Sequence, residues 1–220
     1  MQLISRLNSI ISEFDLLKHT FYQAWSKGEL SIDNLQRYAA QYYYQVESFP
    51  RFISRVHTHC PTPYIAARKV LLENLMDEEL HGTDHPALWM QFAEGLGVSR
   101  DMVDNEEAFP ETKAMVDKFY GLAERDWRDG LCALYAYEYQ VPEVSASKIE
   151  GLKKFYGIQD ERTLEFFTAH QMYDVEHSNK VAALIEKYVD PERAELATRE
   201  AAKSLWCFLD GMCREAHIVC

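Results

Sequence analysis

His170, Asp174 and His177 fall within one short stretch of the chain, and all three are side chains that bind divalent metals. On a helix, at about 100° per residue, they share an arc of about 60°. Phe166, Phe167, Val181, Leu184 and Ile185 lie on the same side. An apolar stripe therefore carries His, Asp and His at its centre. Two further stripes repeat the anomaly. Glu138 continues the line of Leu131, Leu134 and Tyr135, and Glu78 continues the line of Leu71 and Leu75, with His81 and His85 following within two turns. A lone buried carboxylate costs several kcal/mol or takes up a proton. Three carboxylates and several imidazoles converging on one core offset that cost together if they hold a divalent cation, and this donor set suits iron and manganese.

Dimetal carboxylate bundles use inward Glu residues with Glu-x-x-His pairs. Glu78-x-x-His81 has that spacing, and Asp174-x-x-His177 is its Asp variant. Each residue also has a plainer reading. A buried histidine is more often a hydrogen-bonded structural residue than a ligand. Glu78 belongs to the acidic run Asp77-Glu78-Glu79, of the kind that ends a helix in solvent, and a one-residue phase change would expose Glu138. Pattern alone does not decide between His81 and His85. A second concentration is aromatic: Tyr38, Tyr42, Tyr43 and Tyr44 crowd one segment, Tyr135, Tyr137 and Tyr139 flank Glu138, and Tyr22 and Trp25 lie early. Such residues mostly build cores. The functional alternative is a pocket of oxidisable phenols.

The elements that must position these groups read as helices. Leu3, Leu7, Ile10, Ile11, Phe14 and Leu17 recur at helical spacing over 3–18. Ser31 caps a helix to about 60, which Pro61 and Pro63 end. Further helices are predicted over about 64–80, from Asp84-His85-Pro86 to Gly95, over about 111–140, from Pro142 to about 156, over 161–189 and from Pro191 to about 216, with a short helix and loop at 99–110. No strand pattern, linker or repeat interrupts them. One all-α domain of seven or eight helices over 1–220 is expected.

Composition narrows the function. Gly and Pro make up about 7% of the 220 residues, against about 12% on average, too few for a sandwich or barrel. The net charge is −12, with no basic cluster longer than Lys153-Lys154, which argues against nucleic acid. No apolar run approaches a membrane span, and the N-terminus lacks a signal-peptide layout, so a cytoplasmic protein is expected. Cys60, Cys132, Cys207, Cys213 and Cys220 are odd in number and are read as free thiols. The last three lack CxxC spacing and make a poor metal cluster.

Several blocks, in this order and spacing, carry a resemblance: His19-Thr20-Phe21-Tyr22, Trp25-Ser26-Lys27-Gly28-Glu29-Leu30, Asn74-Leu75-Met76-Asp77-Glu78-Glu79, Ala133-Leu134-Tyr135, Tyr137-Glu138, and Asp174-Val175 with His177. Over nearly its whole length the sequence resembles the family of the chlamydial protein associating with death domains, in the TenA/PqqC-like group with a haem-oxygenase-like all-α fold. The tail after about Asp210 and the Pro61–Tyr64 loop depart from it. The resemblance implies a dinuclear iron or iron–manganese centre held by Glu78, His85, Glu138, His170, Asp174 and His177, which favours His85 over His81. It implies formation of p-aminobenzoate for folate by cleavage of the protein's own tyrosine side chain, with O₂ and a small-molecule reductant as co-substrates. The matching positions are Tyr22 as the consumed residue, Tyr38 as a neighbouring tyrosine and Lys148 as amino donor. A homodimer is the expected assembly.

Two other functions are carried forward. One is a TenA-like or PqqC-like enzyme acting on an added small heterocycle, for which Cys132 is the nearest nucleophile. The other is a non-enzymatic module that binds death domains, which would leave the inward ligand set unexplained.

Overall fold

The computed structural model describes residues 2–80 and 82–220. Eleven α-helices and one 3-10 turn account for nearly all of them, in the order α1 Leu3–Glu13, the turn Leu16–Lys18, α2 Thr20–Lys27, α3 Ile32–His59, α4 Ile65–Glu79, α5 His85–Gly95, α6 Arg100–Asp104, α7 Pro110–Arg125, α8 Trp127–Glu138, α9 Val141–Phe155, α10 Glu161–Tyr188 and α11 Pro191–Glu215. No strand occurs among the described residues.

The expected all-α class holds, but the helices outnumber the seven or eight predicted. Local capping divides segments that periodicity joins. The stretch 111–140 breaks at Asp126, which is extended (φ −166°, ψ 141°) and accepts a hydrogen bond from the Arg128 amide to start α8. The stretch 3–18 ends early as an α-helix. Asp15 caps the 3-10 turn, and His19 then caps α2 by accepting the Phe21 amide. Gly28 closes α2 in the left-handed region (φ 71°), where a side chain is strained. The other starts fall where the caps stand: Ser31 and Asn34 form a capping box for α3, Asp84 caps α5, Asp160 caps α10 and Asp190 caps α11.

The long helices α3, α10 and α11 frame the core. α3 packs on α4, α5, α7 and α8, α10 packs on α5, α8 and α9, and α11 covers α7 and α8. The C-terminal ends of α4 and α8 and the N-terminal end of α5 thereby converge on the middle of α10. Between α2, α3, α5 and α10 lies an aromatic core of Phe21, Trp25, Tyr38, Trp89 and Phe167, all nearly inaccessible. The Trp89 indole donates to the Ala39 carbonyl and so ties α5 to α3. α9 reaches this core because Gly151 lets it lie against α2: a Cβ there would sit 2.7 Å from Trp25 Cδ1. That close approach sets the depth of Lys148, one turn earlier.

Candidate metal centre and tyrosine pocket

The packing brings the six residues together. Glu78 closes α4, His85 opens α5, Glu138 closes α8, and His170, Asp174 and His177 come from one face of α10. All six are between 0 and 3% exposed. The solvated-end reading of Glu78 and the exposed reading of Glu138 therefore both fail. Donor atoms of Glu78, His85 and His170 lie within 4.8 Å of one another. His81 lies outside the described residues.

Each group is oriented. Asn74, one turn before Glu78, donates to Glu138 Oε1 at 2.6 Å. The His170 Nδ1–H donates to the Phe166 carbonyl at 2.7 Å, which turns Nε2 toward the centre. His177 meets Asp77 Oδ2 through Nε2 at 2.8 Å, and its Nδ1 lies 3.9 Å from Asp174 Oδ1. His85 Nδ1 lies 2.7 Å from Glu78 Oε2. Among the described residues, Glu138 Oε2 and Asp174 Oδ2 are buried without a hydrogen-bond partner.

Such an assembly is electrostatically costly without a cation. Burial, then the nearby Glu78 charge, pushes the Glu138 carboxyl up to about 8, even though Asn74 pulls it down. Burial and the charges of Glu138 and Glu78 push Asp174 well above the carboxylate range. Burial holds His170 well below the usual imidazole value, with His85 adding to the effect. For His85, burial pulls down, but the Glu78 carboxylate more than offsets it and the value is raised. Three carboxylates, two of them with an oxygen that lacks a partner, and three imidazoles are a donor set that fits a divalent first-row metal ion. A cation there would supply the charge that these groups lack.

Beside this centre lies the phenol pocket. Lys148 is 5% exposed, and its Nζ donates to Tyr38 Oη at 2.6 Å. Tyr38 Oη lies 2.7 Å from Tyr22 Oη. The Lys148 Nζ sits 4.7 Å from the Tyr22 ring centre and 4.8 Å from that of Tyr38, with Tyr42, Trp25, Phe167 and Trp89 also around it. Burial among aromatic faces drives its proton affinity well below the usual lysine value. Tyr42 stacks on Tyr38 and donates to Tyr137 Oη at 3.2 Å. Burial, the Tyr42 phenol and the charges of Asp174 and Glu78 hold the Tyr137 phenol up.

Sequence reading missed several of these roles. Tyr42 and Tyr137 stood among crowded tyrosines with nothing to separate them from Tyr43, which accepts from Arg100, or Tyr44, which donates to the Glu106 carbonyl. Tyr135 and Tyr139 face away and line a surface cleft of 430 Å³ with Asn8, Gln140 and Ser178. Asn74 was legible in principle, four residues before Glu78 and hence on its face of α4.

The cysteines need correction. Cys60, Cys132 and Cys207 are free thiols, but Cys213 and Cys220 form a disulfide. The chain turns back after α11 through His217, which adopts a positive φ, and brings Cys220 onto Cys213. His19 lies close to both sulfurs, but its Nδ1 is already the cap of α2. Cys132 is fully buried, and burial, with the Asp129 charge, pushes its thiol up to about 12, which removes it as a nucleophile at neutral pH.

A helical core with a carboxylate–imidazole centre defines a class of metal-dependent redox proteins, and comparison with known proteins agrees. Residues 36–210 match the model of a family described as iron-containing redox enzymes, and the chain belongs to that family. The chain is 42% identical to a 4-aminobenzoate synthase of Nitrosomonas europaea, over 98% of this chain and 93% of that one. It is 38% identical to a 4-aminobenzoate synthase of Chlamydia trachomatis, over 99% and 96%. Among solved structures, a TenA homologue from Pseudomonas syringae superposes with a TM-score of 0.83 at 17% identity, covering 96% of this chain and 91% of that one. A protein from Nostoc punctiforme described as similar to the chlamydial death-domain-associating protein gives 0.74 at 18%, covering 96% and 98%. Among the described residues, no helix is long and apolar enough to cross a membrane.

Proposed function

We propose that this chain makes p-aminobenzoate from its own Tyr22, with Lys148 as nitrogen donor, at a dinuclear iron or iron–manganese centre held by Glu78, His85, Glu138, His170, Asp174 and His177. The observation that carries this reading is the Lys148 amine, buried 4.7 Å from the Tyr22 ring and bonded to a phenol. The 4-aminobenzoate synthases that share 38–42% of its residues over nearly the whole chain support the product.

When bound, the metals supply O₂ activation and one-electron oxidation, with O₂ and a reductant as co-substrates. The protein's own groups do the rest. The ring and Cβ of Tyr22 match the seven carbons of the product. In the overall conversion the Cα–Cβ bond of Tyr22 breaks and Cβ is oxidised to the carboxylate at the expense of O₂. The Cε–Nζ bond of Lys148 breaks as Cε is oxidised to an aldehyde, a bond from Nζ to the former phenol carbon forms, and the phenol oxygen leaves as water. The Tyr22 Cα takes up a hydrogen to leave a glycine residue. Two O₂ with two electrons and two protons from the reductant balance the conversion, with two waters formed in all. Lys148 suits this role because burial makes its amine give up a proton readily, and the neutral amine is the nucleophilic form. Tyr38 holds both partners, accepting from Lys148 and sharing a hydrogen bond with Tyr22. Tyr42 stacks on Tyr38 and donates to Tyr137, the residue before Glu138. The surrounding Trp25, Trp89 and Phe167 side chains exclude water from a ring that must not be quenched.

The test is protein carrying ring-labelled tyrosine, loaded with iron or iron and manganese and mixed with O₂ and a reductant. Labelled p-aminobenzoate and a chain of lower mass are expected. Tyr22→Phe should keep the metals and lose the product. A requirement for an added small-molecule substrate would overturn self-cleavage in favour of a conventional enzyme.

A further inference from the structure

The two histidines that flank Asp174 on α10, His170 four residues before it and His177 three after, are held by unlike groups. His170 gives its outer N–H to a neutral backbone carbonyl, that of Phe166 one turn earlier on the same helix. His177 gives its outer N–H to a carboxylate, Asp77 Oδ2 at 2.8 Å, reaching across from α4. The rings are also turned oppositely: His170 presents Nε2 inward, whereas His177 has Nδ1 on the side of Asp174, at 3.9 Å. The donors divide accordingly. Glu78, His85 and His170 form one tight group, and Asp174 and His177 pair on the next turn of α10.

We infer that Asp77 is a positioning residue that makes the Asp174–His177 half of the centre the stronger donor set, so that the two metal positions differ in affinity. A carboxylate accepting an imidazole N–H fixes the ring's tautomer and orientation and raises the basicity of the nitrogen that faces the metal. A neutral carbonyl does the first and little of the second. Asp77 keeps 24% of its side chain exposed, whereas Glu138 and Asp174 are almost wholly enclosed. It stands one residue before Glu78, about 100° round the helix. α4 therefore sends one carboxylate into the centre and sets another behind an imidazole. The inference rests on the dinuclear reading above.

Metal-free wild type, Asp77→Asn and Asp77→Glu, titrated anaerobically with Fe(II) and separately with Mn(II), test it by stepwise affinity and stoichiometry. Wild type should bind about two ions per chain with unequal affinities. Asp77→Asn keeps a neutral acceptor for the same N–H, so it should weaken one ion by about 10- to 100-fold and leave the other within a few-fold. Asp77→Glu, which restores the charge one methylene further out, should fall between the two, and metal-free melting temperatures should match across the three proteins. Equal affinities in wild type, equal weakening of both ions in Asp77→Asn, or no weakening of either would overturn the role of Asp77. Failure of wild type to bind two ions would instead sink the dinuclear reading itself.

Discussion

The Lys148 amine lies 4.7 Å from the centre of the Tyr22 ring, and its hydrogen-bond acceptor is the phenol of Tyr38 rather than a carboxylate. A buried lysine ringed by aromatic faces is expensive for the folded state. A residue kept at such a cost is a functional candidate.

Lys148→Met should therefore stabilise the protein while removing its product. Replacing the buried amine with an apolar chain of similar length removes a desolvation penalty, by on the order of 1 kcal/mol, or about 2–4 °C in melting temperature for a chain of this size. Metal content should not change. Calorimetry with product analysis checks both. Unchanged p-aminobenzoate yield would remove Lys148 from the chemistry.

Loss of any inward donor should cost metal. His85→Ala, His170→Ala and His177→Ala should each lower occupancy at least tenfold at sub-stoichiometric metal, and Glu138→Ala combined with Asp174→Ala should abolish it, because each change removes a direct bond. Elemental analysis reads this. Full occupancy in the double variant would place the site elsewhere. Stripping the metals from wild type should lower the melting temperature, because ions that bind only the folded chain add their binding free energy to its stability.

The metal-free protein should show a pH signature of Glu138. Its folded-state value is raised from 4.5 to about 8. The folded state therefore holds a proton that the unfolded chain releases in that window. Its contribution is fully present below about 4.5 and is lost as pH rises toward 8. Relative to Glu138→Gln, metal-free wild type should lose up to about 1.4 kcal/mol of stability per pH unit across that range. Denaturation of both proteins at pH 5, 6.5 and 8 measures the difference. A gap that does not widen with pH would show that Glu138 is ionised throughout.

Alkylation under denaturing, non-reducing conditions should label three cysteines, and prior reduction should raise the count to five. Cys220→Ser should cost no more than about 2–3 kcal/mol, because the disulfide closes a short loop. Five labelled thiols without reduction would show that the pair is open.

Periodicity and caps made the helical class and most helix starts legible. Ser31, Asp84, Asp160 and Asp190 start helices by local hydrogen bonds, which depend only on neighbours in sequence. The same was true of the inward polar residues: a helix turns each residue by a fixed angle, so His170, Asp174 and His177 had to share a face. Helix count was less legible, because Asp126 breaks a continuous apolar stripe without Gly or Pro to mark it.

What the tertiary structure decided was the pairing of side chains far apart in the chain. Asp77 with His177, Asn74 with Glu138, Lys148 with Tyr38 and Cys213 with Cys220 depend on helix packing or on the path of a turn. Sequence spacing constrains direction around one helix axis. The distance between two axes is set by which side chains interdigitate, as where Gly151 admits α9 against Trp25 and so carries Lys148 to the ring of Tyr22.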